Sequence, residues 1–194
     1  MPESLSLKRE IQRKYIHFSS AIIPIVILII GKEKSLAILG IVTPIFIVFD
    51  FLKSRISLFD KLYHTFFGLI TREEEFKSLT GASFVLFGCL ITLMMFPLHS
   101  AVFGMLVMSL CDSIAAIIGK SKGKVSLFGK TLEGTIGFVL TGLILVLILP
   151  FVSPLLGILA VISASIIELL PYPKINDNFS IPIVSAAILN INSI

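Results

Sequence analysis

The chain has no tryptophan and two cysteines, and Asp, Glu, Lys and Arg together make up only 14% of its 194 residues. Cys89 and Cys111 lie in separate apolar runs without metal-ligand spacing, which argues against a disulfide framework and a zinc site. Thirteen glycines and nine prolines scattered without a period exclude collagen-like and low-complexity structure. The charge balance of +4 is too small for a nucleic-acid-binding surface unless it is gathered in one stripe. What the chain does have is apolar residues, 56% of the total, with a mean hydropathy of +1.02. That value excludes an ordinary soluble enzyme and a disordered chain, and it points to an all-α integral membrane protein.

A bilayer core about 30 Å thick takes roughly 17 to 25 apolar residues per helix. Stretches near that length run from Tyr15 to Gly31, Leu36 to Leu52, Leu79 to Pro97, His99 to Ile118, Gly134 to Leu149 and Leu155 to Leu170, with a shorter one from Ile181 to Ile194. The proline-bearing connectors at 97–100 and 150–154 fit only tight turns between antiparallel helices. About seven spans are therefore expected, in a single multi-pass domain covering residues 1–194.

Short cytoplasmic loops carry an excess of Lys and Arg. On this layout fourteen of the sixteen basic residues fall on one side, leaving Lys32 and Lys34 on the other. The N-terminus is thus expected in the cytoplasm and the C-terminus outside. The first apolar run leads into Gly31-Lys32-Glu33-Lys34 without a small-residue cleavage site, so it is expected to remain as a span. In the loop between spans two and three, Phe59, Leu62, Tyr63, Phe66, Phe67 and Ile70 recur at helical spacing, while Asp60, Lys61 and His64 face away. This predicts an amphipathic helix in the membrane interface, either flooring a lipid site or merely packing on the bundle.

Acidic groups are costly at membrane depth and need a reason to be there. On this layout eleven of the twelve acids lie on the cytoplasmic side, and Asp50, Asp112, Glu133, Glu168 and Asp177 lie at or near helix ends. Beside Arg72, Lys120, Lys122, Lys124 and Lys130, such acids can hold a hard divalent cation such as Mg²⁺ while the bases neutralise phosphates. Asp112, Ala115, Ala116 and Gly119 share a helix face, on which small residues let a backbone or a nucleotide approach the carboxylate. Gly119, Gly123 and Gly129 offer backbone amides among the lysines. Glu133 and Thr135 mark the start of span five, where the helix dipole favours an anion. A P-loop is rejected, because the pattern ending in Gly129-Lys130-Thr131 needs a glycine where Lys124 stands and no strand precedes it.

Asp112-x-x-Ala115-Ala116-x-x-Gly119-Lys120-x-x-Gly123-Lys124, with Lys130-Thr131-Leu132-Glu133-Gly134-Thr135, resembles the signature of the polyprenol kinase family, which includes dolichol kinase, phytol kinase and CTP-dependent diacylglycerol kinase. Arg13-Lys14-x-x-His17 resembles that family's N-terminal motif, and Arg72-x-x-Glu75 with Thr80-Gly81 its central one. Glu168 and Asp177-Asn178-x-x-Ile181-Pro182 resemble its C-terminal elements. The resemblance implies a membrane enzyme that uses CTP and a divalent metal to phosphorylate a lipid alcohol, and the distribution of Lys and Arg puts these motifs on the cytoplasmic face of the cell membrane. It also implies that Arg13, Lys14, Asp112 and Gly119 are required for activity.

As a mechanism, Asp112 would bind the metal or accept the hydroxyl proton, with Glu133 or Asp177 as the second acid. Lys120, Lys124 and Lys130 would neutralise phosphates, with Gly119, Gly123, Thr131, Gly134, Thr135 and Arg72 around the nucleotide. Arg13 and Lys14 would close the site, and Glu75, Glu168 and Asn178 are further candidates. His17 could orient a phosphate or simply be an interfacial residue, and Asp50 either belongs to the site or ends a helix in the headgroup layer. The same broad fold is shared with CDP-diacylglycerol synthases, whose longer C-terminal signature is absent here. A cytidylyltransferase making a CDP-lipid thus stays open as a second reading, and a non-catalytic transporter or assembly subunit as a third. No nucleic-acid partner is expected, and an oligomer stays open.

Overall fold

Each of the seven apolar stretches is helical in the computed structural model, which describes residues 7–53, 55–67, 78–170 and 176–191. The order is α1 (Leu7–Ser19), α2 (Ile22–Ile30), α3 (Lys32–Lys53), α4 (Ser57–Phe67), α5 (Gly81–Met95), α6 (Leu98–Leu106), a π-helical turn (Val107–Cys111), α7 (Asp112–Lys122), strands β1 (Ser126–Leu127) and β2 (Lys130–Thr131), then α8 (Leu132–Ile148), α9 (Pro154–Leu169) and α10 (Asp177–Leu189). Three helical stretches are long and apolar enough to cross a membrane: Ile11–Ile30, Lys32–Lys53 and Leu98–Lys122. The apolar helices α5, α8, α9 and α10 have 13 to 17 residues, shorter than the roughly 20 of a full crossing.

Several boundaries differ from the sequence expectation for identifiable reasons. Helix already runs at Leu7, ahead of the expected Tyr15, and the first membrane-length stretch, Ile11–Ile30, turns at Ser20 and Ala21. Pro24 accounts for that turn, because it cannot donate to the Ser20 carbonyl and its ring crowds the same group. The last helix starts at Asp177 rather than Ile181, with the Asn176 side chain accepting from the Asn178 amide as its N-cap. Asp177 therefore sits in a first turn instead of a loop. The all-α expectation gives way between α7 and α8, where β1 and β2 pair antiparallel with Ser126 opposite Thr131 and Leu127 opposite Lys130. The turn residues Phe128 and Gly129 have φ of 49° and 85°, the left-handed pair that a two-residue hairpin requires. Gly129 thus serves turn geometry.

Inside the bundle, α6 and the π turn form the axis, with Phe103, Met105, Val107 and Met108 fully buried. Around them pack α2, α5, α8 and α10. The outward faces are apolar: Ile29, Ile41, Leu147 and Leu155 are all more than 60% exposed, as expected of side chains bathed in lipid. Of the expected interfacial helix, α4 covers Ser57–Phe67, with Tyr63 buried and Lys61 exposed. Ile70 lies outside the described residues.

Lipid supplies no hydrophobic drive between helices, so close backbone contact at small residues carries much of the packing. A Cβ on Gly104 of α6 would stand 2.3 Å from the Pro182 carbonyl oxygen of α10, and both are main chain that cannot swing aside. A Cβ on Gly40 of α3 would meet nothing within 4 Å. Gly104→Ala is therefore expected to lower thermal stability in detergent by about 1–3 kcal/mol, with Gly40→Ala causing no loss. Equal melting temperatures for the two variants would refute this packing.

Candidate active site

The site begins where α6 loses its regular pitch. The π turn inserts a residue just before Asp112, a device frequent at functional positions. Asp112 then opens α7 with its side chain buried. A buried carboxylate needs partners, and α1 supplies them. Lys14 Nζ lies 2.6 Å from Asp112 Oδ2, and His17 Nε2 lies 3.3 Å from the same oxygen and 3.3 Å from the Met108 carbonyl. Both groups facing Nε2 are acceptors, so the ring proton belongs on that nitrogen. Ser20 Oγ donates to the His17 carbonyl at 2.5 Å and lies 3.1 Å from Ser109 Oγ, fastening the bend of α1 and α2 to the π turn. Arg13 is half-buried on α1 beside Lys14.

A second ionic group adjoins the first. The hairpin carries Lys130 to α9 and α10, where its Nζ lies 2.7 Å from Glu168 Oε1 and 3.0 Å from Asp177 Oδ2. The same ammonium also donates to the Glu168 carbonyl oxygen. Partial burial of Lys130 works against its charge, but Glu168 and then Asp177 outweigh it and hold its pKa above the ordinary lysine value. The ammonium is permanent at physiological pH. Asp112 lies within electrostatic range of both Glu168 and Asp177, so the two groups share one field.

Other sequence candidates have more local duties. Thr131 Oγ1 accepts from the Gly134 amide as the N-cap of α8, and Thr135 Oγ1 donates to the Thr131 carbonyl. Gly119 and Gly134 bring α7 and α8 together: a Cβ on Gly134 would stand 2.8 Å from the Ala115 carbonyl oxygen, and one on Gly119 2.7 Å from Thr131 Oγ1. Gly123 ends α7, with its amide bonded to the Gly119 carbonyl. Glu133 accepts from the Val125 amide at 3.3 Å through both oxygens and steadies the hairpin. Asn178 Nδ2 donates to the Gly81 carbonyl of α5. Lys120 and Lys124 are exposed at the end of α7. Arg72 and Glu75 lie outside the described residues.

Of the face predicted on α7, Ala115 turns to α8, while Ala116 joins Ile11, Lys14, Ile117 and Lys120 around a shallow surface depression between α1 and α7. Among the described residues no three His, Cys, Asp or Glu side chains are grouped to hold a metal ion, so Asp112, Glu133 and Asp177 do not form a ready cage. Mg²⁺ does not need one, since it commonly takes one or two carboxylates and completes its shell with substrate phosphates and water. Asp112 or Asp177 could supply such a carboxylate on leaving its lysine. Sequence reasoning missed Ser20, Ser109 and the Met108 carbonyl, for which periodicity carries no signal because the π turn changes the pitch locally.

Fold and site together define a helical membrane protein in which buried acids pair with lysines. It belongs to one family with an uncharacterized protein of Methanocaldococcus jannaschii, 32% identical over 184 residues that cover 94% of this chain and 93% of that protein. An uncharacterized protein of Rickettsia prowazekii is 28% identical over 183 residues, 90% of each chain. CTP-dependent diacylglycerol kinase 1 of Schizosaccharomyces pombe is 27% identical over 206 residues, 95% of this chain and 94% of the yeast protein, a distant likeness that supports a lipid kinase family. No family model matches the chain. No solved structure matches it.

Breaking a buried ion pair on one side leaves an uncompensated charge, whereas removing both charges does not. Lys14→Met is expected to destabilise the protein in detergent by about 3 kcal/mol, and Lys14→Met with Asp112→Asn to recover most of that loss. A double variant no more stable than Lys14→Met would show that the pair is not what holds α1 to α7.

Proposed function

We propose that the chain is a CTP-dependent lipid kinase that transfers the γ-phosphoryl group of CTP to the hydroxyl of a membrane lipid alcohol, a polyprenol, a phytol-like isoprenoid alcohol or a diacylglycerol. In this reading the chain crosses the cell membrane seven times with its N-terminus and site in the cytoplasm. The observation that carries it is the buried Asp112, held by Lys14 and His17 beside the Lys130, Glu168 and Asp177 group. The distant likeness to the yeast kinase supports the choice of reaction and nucleotide.

Phosphoryl transfer asks chiefly for positioning and charge neutralisation. The lipid oxygen attacks the γ-phosphorus as the bond from that phosphorus to the β-bridging oxygen breaks, so that CDP leaves. The hydroxyl proton passes to a carboxylate, for which Asp112 is best placed. Lys14 can then exchange its bond to Asp112 for a phosphate oxygen, and Lys130 can do the same from Asp177. Exposed Lys120 and Lys124 reach the outer phosphates, with Arg13 closing the α1 side. Asp177 would hold Mg²⁺, which when bound offsets phosphate charge. Glu133, committed to Val125, supports the hairpin in this scheme.

The test is purified protein in detergent with lipid extract, Mg²⁺ and CTP labelled at either the γ or the α phosphate. γ Label in the organic phase is expected, and Asp112→Asn is expected to reduce its transfer by about 10³-fold or more while the protein stays folded. α Label in lipid would establish a cytidylyltransferase instead. No lipid label from CTP, ATP or other nucleotides would overturn the enzyme reading, and near-normal activity in Asp112→Asn would remove that residue from the chemistry.

A further inference from the structure

A further buried ion pair, unused by this mechanism, joins Lys53 and Asp50 in the last turn of α3. Lys53 Nζ lies 2.9 Å from Asp50 Oδ1 and 4.5 Å from the centre of the Tyr63 ring on α4, and both side chains are almost wholly buried. The other carboxylate oxygen is fully used. Asp50 Oδ2 accepts from the Thr80 amide at 2.8 Å, Thr80 Oγ1 at 2.9 Å and Ser83 Oγ at 2.6 Å. These donors are the N-cap and first turn of α5. An apolar pair could join two helices without desolvating charge, but a carboxylate with three converging donors fixes where one helix starts.

From that start the connection runs to the site. The Gly81 carbonyl accepts Asn178 Nδ2 at 3.3 Å. Nearly two turns further along α5 the rings of Phe87 and Phe179 stack at 5.4 Å. Gly88 lies so close to α10 that a Cβ there would be 2.4 Å from the Asn178 carbonyl oxygen. These three contacts surround the first turn of α10, and the residue preceding Asn178 is Asp177, partner of Lys130. We infer that Asp50 is a positioning residue for the Lys130–Asp177 half of the site, acting through the start of α5 and the first turn of α10. Its part in the reaction rests on the kinase reading; the mechanical link does not.

Hydrogen–deuterium exchange on the full chain in detergent tests the link without any assay of activity. Two variants are used because Asp50→Asn alone leaves Lys53 buried and unpaired: Ser83→Ala, which deletes one bond, and Asp50→Asn with Lys53→Met, which removes both charges. Both are expected to speed exchange of the 178–181 amides by about tenfold, leaving those of 156–166 in α9 unchanged. Faster exchange confined to 79–85 would overturn the inference, as would no change at 178–181. In the γ-label assay, Ser83→Ala is expected to raise the KM for CTP by roughly three- to tenfold with the KM for the lipid alcohol unchanged, because Lys130 and Asp177 are assigned to the phosphates. Equal effects on both constants would reduce Asp50 to a purely structural group. A wild-type protein that labels no lipid would sink the kinase reading, and the exchange result would still decide the link.

Discussion

An ionised carboxylate inside an apolar bundle is tolerated only if other groups replace the water it has lost, and Asp112 imposes that requirement on the elements around it. Lys14 and His17 meet it from α1, so the first helix must dock against α7 instead of drifting in lipid. The π turn gives His17 a carbonyl as well as the carboxylate, and Ser20 ties the bend to Ser109. Pro24, by turning the chain at Ser20, makes that fastening possible. Local backbone irregularity and buried charge are thus parts of one arrangement.

The hairpin between α7 and α8 extends it. Phe128 and Gly129 close a turn that only left-handed backbone allows, and the strand after it delivers Lys130 to Glu168 and Asp177. Small residues then determine how near the carriers of these groups can come: Gly134 against Ala115 for α7 and α8, Gly88 against Asn178 for α5 and α10. The acids and lysines are paired with one another. In the proposed kinase reading, a nucleotide and its cation would exchange those partners, cation for lysine at the acids and phosphate for acid at the lysines, so binding need not create unpaired buried charge.

Much of this was legible from residue types. The seven helical stretches follow from the lengths of apolar runs, and motif resemblance named Lys14 and Asp112 as candidates for one site, while His17 read equally as a phosphate contact or an interfacial residue. Other duties were not legible. Gly119 and Gly134 read equally well as phosphate-binding backbone and as packing surface, and the tertiary contact with Thr131 and Ala115 supplies the packing role. Glu133 and Asp177 looked alike as second acids. The hairpin commits one to the Val125 amide and brings the other to Lys130, a difference that depends on where the chain turns and not on the residue type.

Asp50 marks the same boundary. Its position at the end of an apolar run was evident, but whether it met headgroups, solvent or protein was not, since its partners Thr80 and Ser83 are some thirty residues away. By itself the sequence determined the medium, because composition sets the free energy of transfer into lipid, and it determined which stretches are helical, because a backbone in lipid must satisfy its own hydrogen bonds. The tertiary structure decided which acid meets which base. A charge buried at low dielectric takes its partner from whatever the packing of helices brings within about 3 Å, and no local pattern encodes that distance.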